Sequence, residues 1–524
     1  MRIAKKIFIG LMVLALLAIV LNFGISWYLR EKLPSVIHKE KNFPYNISYE
    51  DLDVNLITGS LTLHNVYAAP KDTLLNQGAF AKVDRISVRR FNLWAFLRED
   101  KIKVNRVIIE SPKVQLYEKD KRYSVEDDVV KPFKNSINTG SIEVNNGNFK
   151  LLSIKHKPLL KAANINLVVE NIKVDSAIVA SNIPVRYTDY NFSCDSLFYH
   201  IDNVYNMTAL KVTSTDSTIT VDKLKLIPKY TRAQYTKSLA KEKDLFAVNV
   251  HQLKLPNVQW GYINNVLFVH SPELILDRLN ANVYRNKLPA DDPTTKKLYS
   301  QLLRELDFDL DIGKVMLKNS LIEYEEQLDW TRPAAKVSFS NFYATIHNVY
   351  SPINKKKLPR TVADVQCLFM KHSPLTVKWI FNVPDKSDSF TINGHLRNID
   401  TGKIDPLAKP LMNFTAEGTI KELRYTMNGN RNSATGTFAM EYDDFKVDIY
   451  KKDGKEKNKF LSAIGNLIVK NDSNDKLKNA DIEVVRLKDK SVFNFLWRFL
   501  QEGLKKTLLP KAVNAVLPKK KKMS

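Results

Sequence analysis

The sequence predicts a mainly β protein, with a single N-terminal transmembrane helix, an elongated repetitive β-sheet region carrying a few short helices, and a C-terminal amphipathic helix. Three observations carry this expectation. An almost unbroken apolar run fills residues 7–29, alternation with period two recurs from about Ile47 to about Arg486, and apolar residues return at three- and four-residue spacing between Val492 and Leu508. Period two puts one apolar row on one face of a strand, whereas spacing near 3.6 marks one face of a helix.

The first element is the run from Ile7 to Leu29, interrupted only by Gly10, Asn22, Gly24 and Ser26 and preceded by Arg2, Lys5 and Lys6. About 20 apolar residues cross the ~30 Å of bilayer hydrocarbon, so the run is long enough to span. A removable secretory signal has a shorter apolar core and a small-x-small cleavage site. This run ends instead in Ser26-Trp27-Tyr28-Leu29-Arg30, and Trp27 and Tyr28 suit the water–lipid boundary. Residues 1–30 therefore read as a retained anchor with a short cytoplasmic tip. Arg2, Lys5 and Lys6 are balanced by Arg30, Lys32, Lys39 and Lys41, so local charge does not choose a side. A basic tip before the first apolar segment looks like an export signal, and long domains translocate largely regardless of charge, which places the bulk of the chain outside.

The chain beyond Arg30 is too long for one ordinary core, so several domains or one extended repetitive architecture is expected. With 25 Phe, 21 Tyr and 44% hydrophobic residues, the protein is not disordered overall. Cys194 and Cys367 are the only cysteines, too few for a disulfide framework or a four-cysteine zinc site. The net charge of +24 fits a solvated exterior or attraction to an anionic surface, and without a nucleic-acid motif we read lipid rather than nucleic acid.

Alternation is clearest in Ser60-Leu61-Thr62-Leu63-His64, Lys103-Val104-Asn105-Arg106-Val107-Ile108, Ile165-Asn166-Leu167-Val168-Val169, Thr218-Ile219-Thr220-Val221 and Phe246-Ala247-Val248-Asn249-Val250. Helical segments are few. The best is Pro293 to Leu306, where Asp292 suits the cap, Pro293 suits the first turn, and Leu298, Leu302 and Leu306 share a face. Asn92 to Arg98 and Tyr230 to Lys241 are others, and loops are expected at Glu118 to Val129, Leu288 to Asp292, Pro352 to Pro359 and Lys451 to Lys459.

A weak repeat underlies the strands. Gly59-Ser60-Leu61-Thr62-Leu63-His64-Asn65, Gly140-Ser141-Ile142-Glu143-Val144-Asn145-Asn146 and Gly313-Lys314-Val315-Met316-Leu317-Lys318-Asn319 share a form: Gly, two apolar residues on one face, then Asn, which we read as a turn. Irregular spacing excludes a fixed-period solenoid. Half-buried strands need a covering layer, and with helices scarce two solutions remain. The sheets pack on one another as sandwiches, or one long sheet curls into a groove whose apolar floor takes acyl chains.

The anchor followed by Ile47-Ser48-Tyr49-Glu50-Asp51-Leu52-Asp53-Val54-Asn55-Leu56-Ile57-Thr58-Gly59-Ser60-Leu61-Thr62-Leu63-His64-Asn65-Val66, then Val83-Asp84-Arg85-Ile86-Ser87-Val88, Asn92-Leu93-Trp94 and Ile102 through Val114, resembles the AsmA-like family. The block from Leu306-Asp307-Phe308-Asp309 to Ile322-Glu323-Tyr324 is similar to that family's second half. The family includes the bridge-like lipid-transfer proteins of Gram-negative envelopes, and the likeness, one of pattern, covers most of the chain. It implies an inner-membrane anchor, a mainly periplasmic chain and a curled β-groove for phospholipid, with AsmA-like β regions over residues 31–290 and 291–490. No catalytic residues carry over. This chain is shorter than the large members: about twenty-five strands at ~4.8 Å give a groove on the order of 100 Å before curling. Such a groove could reach part way, hand lipid to a partner, or serve the inner membrane alone.

The residues give no positive reason to expect an enzyme. Asp307-Phe308-Asp309-Leu310-Asp311 superficially resembles a calcium loop, but the sixth and twelfth positions hold Ile312 and Lys318 where an EF-hand needs Gly and Glu. Alternation with Phe308, Leu310 and Ile312 reads as a strand with three Asp on its wet face. The nine His are scattered, and there is no phosphate loop or nucleophile elbow, so no metal or cofactor is expected.

Residues 491–524 read as an amphipathic helix and basic tail. Val492, Phe493, Leu496, Trp497, Leu500, Leu504 and Leu508 form its apolar side, and Lys505, Lys506, Lys511 and Lys519 to Lys522 come after Glu502 with no further acid. Phe493, Leu496, Trp497, Leu500 and Leu504 are the candidates for a membrane-surface helix, the rival being a cap on the β structure. The candidate lipid path is the apolar row Leu61, Leu63, Val104, Val107, Ile142, Val144, Val315 and Leu317. The expected partners are membrane phospholipids, the inner membrane through the anchor, and outer-membrane or envelope proteins. The expected function is phospholipid binding in support of lipid transport or outer-membrane homeostasis, with a non-transporting structural or assembly factor as the alternative.

Overall fold

A computed structural model describes residues 45–55, 59–71, 78–91, 102–118, 137–174, 186–215, 217–451 and 472–509. The expected anchor, the expected helix Asn92 to Arg98 and the basic run Lys519 to Lys522 lie outside the described residues. Of the described residues 64% are in strands and 11% in helices, which makes the protein mainly β, with one large mixed sheet. No described helix is long and apolar enough to cross a membrane. The chain divides into two compact units, residues 1–225 with 254–267 and residues 226–253 with 268–524.

The first unit holds β1 (Tyr45–Ser48), β2 (Asp51–Asn55), β3 (Ser60–Pro70), β4 (Gly78–Arg89), β5 (Ile102–Glu110), β6 (Lys113–Tyr117), β7 (Ile137–Leu152) and β8 (Pro158–Val174). It continues with β9 (Asp189–Cys194), β10 (Ser196–His200), β11 (Tyr205–Ala209), β12 (Lys211–Thr215) and most of β13 (Thr218–Pro228). β14 (Leu245–Leu255) lies mostly in the second unit and β15 (Gln259–Ile263) in the first. The second unit then adds β16 (Val266–Asn286), β17 (Asp309–Gln327), β18 (Ala335–Tyr350), β19 (Thr361–Phe369), β20 (Ser373–Phe381), β21 (Phe390–Asp400), β22 (Phe414–Gly429), β23 (Ser433–Ile449) and β24 (Lys478–Val485). Its helices are α1 (Arg232–Ser238), α2 (Tyr299–Arg304), α3 (Asp405–Met412) and α4 (Val492–Leu508).

In both units a parallel strand pair meets an antiparallel partner: β5 and β6 run parallel to β7, which pairs with β8, and β16 runs parallel to β17, which pairs with β18. Here two of the three copies of the weak sequence repeat have their physical basis. Gly140 faces Asn105 and Gly313 faces Pro272 across the two parallel ladders. A Cβ there would stand 2.5 Å from the Asn105 carbonyl oxygen or 2.8 Å from that of Pro272, so only glycine admits the neighbouring backbone.

The Asn at the end of each motif is not a turn. Asn65, Asn146 and Asn319 sit within β3, β7 and β17 with φ of 48°, 55° and 49°. Asn tolerates this left-handed conformation, and one such residue bends a long strand without ending it. Ser111 between β5 and β6 and Asn164 in β8 (φ 51° each) accompany Asn146, as Arg278 (φ 49°) and Asn341 (φ 44°) accompany Asn319. Each unit therefore carries a crease across three adjacent strands. At the crease β7 exchanges β5 for β6 as its partner, just as β3 exchanges β2 for β1 near Asn65.

Two helical expectations change. Asp292 accepts from Thr294 N (3.2 Å) and Thr294 Oγ1 (2.8 Å) in a local turn, and α2 begins only at Tyr299. Leu298 is buried while Leu302 is 46% exposed, so the face with Leu302 is the wet one. In α4 the buried positions are Val492, Phe495, Phe499, Gly503 and Thr507, a stripe that shares Val492 with the one read from the sequence and is flanked by its Leu496, Leu500, Leu504 and Leu508. α1 begins with the capping box of Thr231 and Gln234, inside the expected segment.

Candidate functional site

Residues directly opposite in a ladder share a face, so register determines which side chains line it. In the second unit Leu276, Leu317, Ala344, Val365, Val377, Gly394, Tyr425 and Phe438 form one cross-strand row from β16 to β23. Beside it on the same face run Leu274, Val315, Ile346, Ala363, Trp379, Ile392, Met427 and Gly436. The two rows make an apolar stripe perpendicular to eight strands.

One end of the stripe is covered. Phe495 and Phe499 of α4 are buried in the core with Met427, Phe438 and Met440, and Leu496, Leu500, Leu504 and Leu508 pack against that core. Gly503 lies on the ring of Phe438, where any Cβ would overlap the ring, so the helix comes closer than any other residue would permit. Arg498 donates to the Val485 carbonyl (2.6 Å) and Lys506 to that of Asp481 (2.7 Å), fastening α4 along β24. Of the five membrane-surface candidates, Leu496, Leu500 and Leu504 thus face the protein and Trp497 is half-buried, while Phe493 is 59% exposed. The sequence missed Phe495 and Phe499, whose signal was their spacing from Val492 and Gly503.

Away from α4 the stripe is less enclosed. Leu274, Leu276, Val315, Leu317, Ile346, Val365 and Val377 are half-buried. The boundary is aromatic: the Tyr299 and Trp379 rings are 5.4 Å apart, and that of Phe493 lies 6.3 Å from Trp379.

The other candidates lie elsewhere. Leu61, Leu63, Val104, Val107, Ile142 and Val144 of the first unit are at most 5% exposed and belong to one buried cluster with Ile86, Val88 and Ile109. Register accounts for this: Leu61 faces Val88, Val88 faces Val107 and Val107 faces Ile142. Sequence pattern alone cannot tell such a row from the half-buried Val315 and Leu317, because both alternate with period two.

No family model matches the chain, and no curated protein does. Its chemistry is therefore read from its own residues.

Asp309 is not on a wet face. It is buried at 3% exposure, with Lys355 as its ion partner and His270 Nε2 at 3.2 Å. Lys355 comes from the expected loop Pro352 to Pro359 and sits 3.8 Å from Asp311, so a lysine supplies the counter-charge of these carboxylates. A second buried carboxylate, Asp388, accepts from Arg304 (2.7 Å), Arg431 (2.7 Å) and Ser300 (2.9 Å). Burial pushes its pKa up, but these hydrogen bonds more than reverse that and hold it below the usual carboxylate range. Among the described residues no three His, Cys, Asp or Glu gather in a metal-holding group. Burial raises the thiol of Cys194 to about 11 and that of Cys367 to about 12, so neither is an activated nucleophile.

Proposed function

We propose that this chain is an envelope lipid-handling protein of the AsmA-like kind, held in the inner membrane by residues 7–29 with its bulk in the periplasm. In this reading phospholipid acyl chains lie on the half-buried part of the stripe, and the protein aids lipid transport or outer-membrane homeostasis. What supports it is the register: two continuous apolar rows cross eight strands, and among the described residues α4 covers them at the β21–β23 end while seven of their members away from it stay half-buried. Apolar contact without polar partners suits hydrocarbon, whose recognition needs area rather than hydrogen bonds. With α4 occupying the β21–β23 end, the path is bounded there, which fits a carrier that accepts and returns lipid by its uncovered side.

The test is lipid carriage. Native mass spectrometry of the segment from about Lys32 onward is expected to find bound phospholipid. Leu317→Asp is expected to abolish most of it while the far-ultraviolet dichroism stays unchanged. A monodisperse preparation without lipid, equally stable with and without Leu317→Asp, overturns the reading. The buried cluster of the first unit favours a second reading, a structural or assembly factor of the envelope, because a row closed on itself offers no acyl path.

A further inference from the structure

The face of the second unit's sheet opposite the apolar stripe carries a trough of about 750 Å³. It is bordered by three consecutive residues from each of β17 to β22, and the middle one is always a member of the Leu317–Tyr425 row. No residue two positions from that row, such as Val315, Ile346 or Trp379, touches it. Since side chains alternate between faces, the walls are the outward neighbours of the stripe and the floor is its backbone. The volume is that of a ligand site, and six strands at ~4.8 Å spacing make the trough on the order of 24 Å across the sheet.

The walls are polar, and most of their charge is already neutralised. Lys378 pairs with Asp364 (3.3 Å), and Arg424 and His395 both hold Glu422 (2.6 and 2.5 Å). Lys318 is the remaining cation, too little to recognise a polyanion. Apart from Met316, the rest are planar amides and hydroxyls. Asn393 accepts from Thr426 (2.9 Å) and keeps its amide protons, while Gln366, Thr345 and Thr376 have no side-chain hydrogen bond to any described residue. Tyr343, also on the wall, is 45% exposed, and its hydroxyl donates to Asn319, which tethers the ring.

We propose that this trough binds a neutral glycan chain, with Tyr343 as stacking platform and Gln366, Asn393 and Thr376 as hydrogen-bonding partners of sugar hydroxyl and acetamido groups. A row of uncommitted amides and hydroxyls on rigid strands suits a polyhydroxylated ligand, which offers alternating donors and acceptors and apolar ring faces. Hydrocarbon would leave those groups unpaired, and a polyanion would find, among the described residues, Lys318 as the one wall cation without an acidic partner. The site lies on the other side of the sheet from the lipid path and does not depend on it.

The test titrates chitohexaose, a neutral β-linked hexasaccharide, into the full-length protein in detergent and follows saturation-transfer NMR and calorimetry, with a heparin-derived hexasaccharide in parallel. Saturable chitohexaose binding that is insensitive to salt is expected. Tyr343→Ala and Gln366→Ala are each expected to weaken it about fivefold or more, the effect of one lost contact, and Thr376→Val to weaken it as well. Val315→Asp, two positions from the row and not touching the trough, should leave it unchanged. All three trough variants alter side chains outside the buried core, and their melting temperatures confirm that folding is intact. No saturable binding, binding indifferent to all three trough variants, or binding of the heparin fragment alone with loss in high salt each overturns the proposal.

Discussion

Single residues decide where this sheet can bend and where it can approach itself. Gly140 and Gly313 give the two parallel ladders their close contacts, each six residues before a left-handed Asn. Gly140→Val would drive a side chain into the Asn105 carbonyl and is expected to cost about 1–3 kcal/mol, measured by urea unfolding. Asp388 is the other single-residue hinge of stability, because Arg304 and Arg431 converge on a carboxylate with no solvent exposure. Its pKa is depressed in the folded state, so its contribution is fully present above the unfolded value of ~3.9 and fades as pH falls through the lower folded value. Asp388→Asn is expected to cost about 3–5 kcal/mol at neutral pH, by leaving two guanidinium groups without their counter-charge. The penalty should begin to shrink below about pH 4, where the unfolded-state carboxylate takes up its proton, and go on shrinking until the native carboxylate protonates at its lower pKa. A penalty independent of pH would refute the ion-pair account.

At the scale of elements, α4 shows how an amphipathic helix is claimed by a sheet. Phe495 and Phe499 enter the core, Gly503 brings the axis onto Phe438, and Arg498 and Lys506 bind carbonyls of β24 and its end. Phe499→Ala is expected to destabilise the protein by about 3–5 kcal/mol. Phe493→Ser, at a 59% exposed position, should cost only about 1 kcal/mol, the worth of its edge contacts with Trp379 and Tyr299. Denaturant midpoints with unchanged slopes check both. If Phe499→Ala is tolerated, α4 does not cap the core as described.

At the scale of the molecule, each compact unit has its own buried cluster. Calorimetry is therefore expected to resolve two unfolding transitions. Val107→Asp, an unpaired charge in the first cluster, should lower one and leave the other in place. Phe499→Ala should do the converse. A single transition moved equally by both variants would show that the units unfold together.

The β class, the short α1 and the apolar rows were legible because period two and 3.6 are local properties of the chain: Leu61 and Leu63, or Val315 and Leu317, declare a face wherever they fall. The sequence also flagged the Gly-to-Asn motif, although Asn65, Asn146 and Asn319 proved to crease strands rather than end them, since a left-handed residue looks alike in a turn and in a bulge. Only tertiary structure separated Val107, buried at 1%, from the half-buried Val315 and Leu317, for enclosure depends on which strand lies opposite. It likewise turned α4 onto Phe495 and Phe499, buried Asp309 beside Lys355, and set a polar trough behind the apolar stripe. Alternation specifies two faces but not what either will meet, because partners come from residues far apart in the chain.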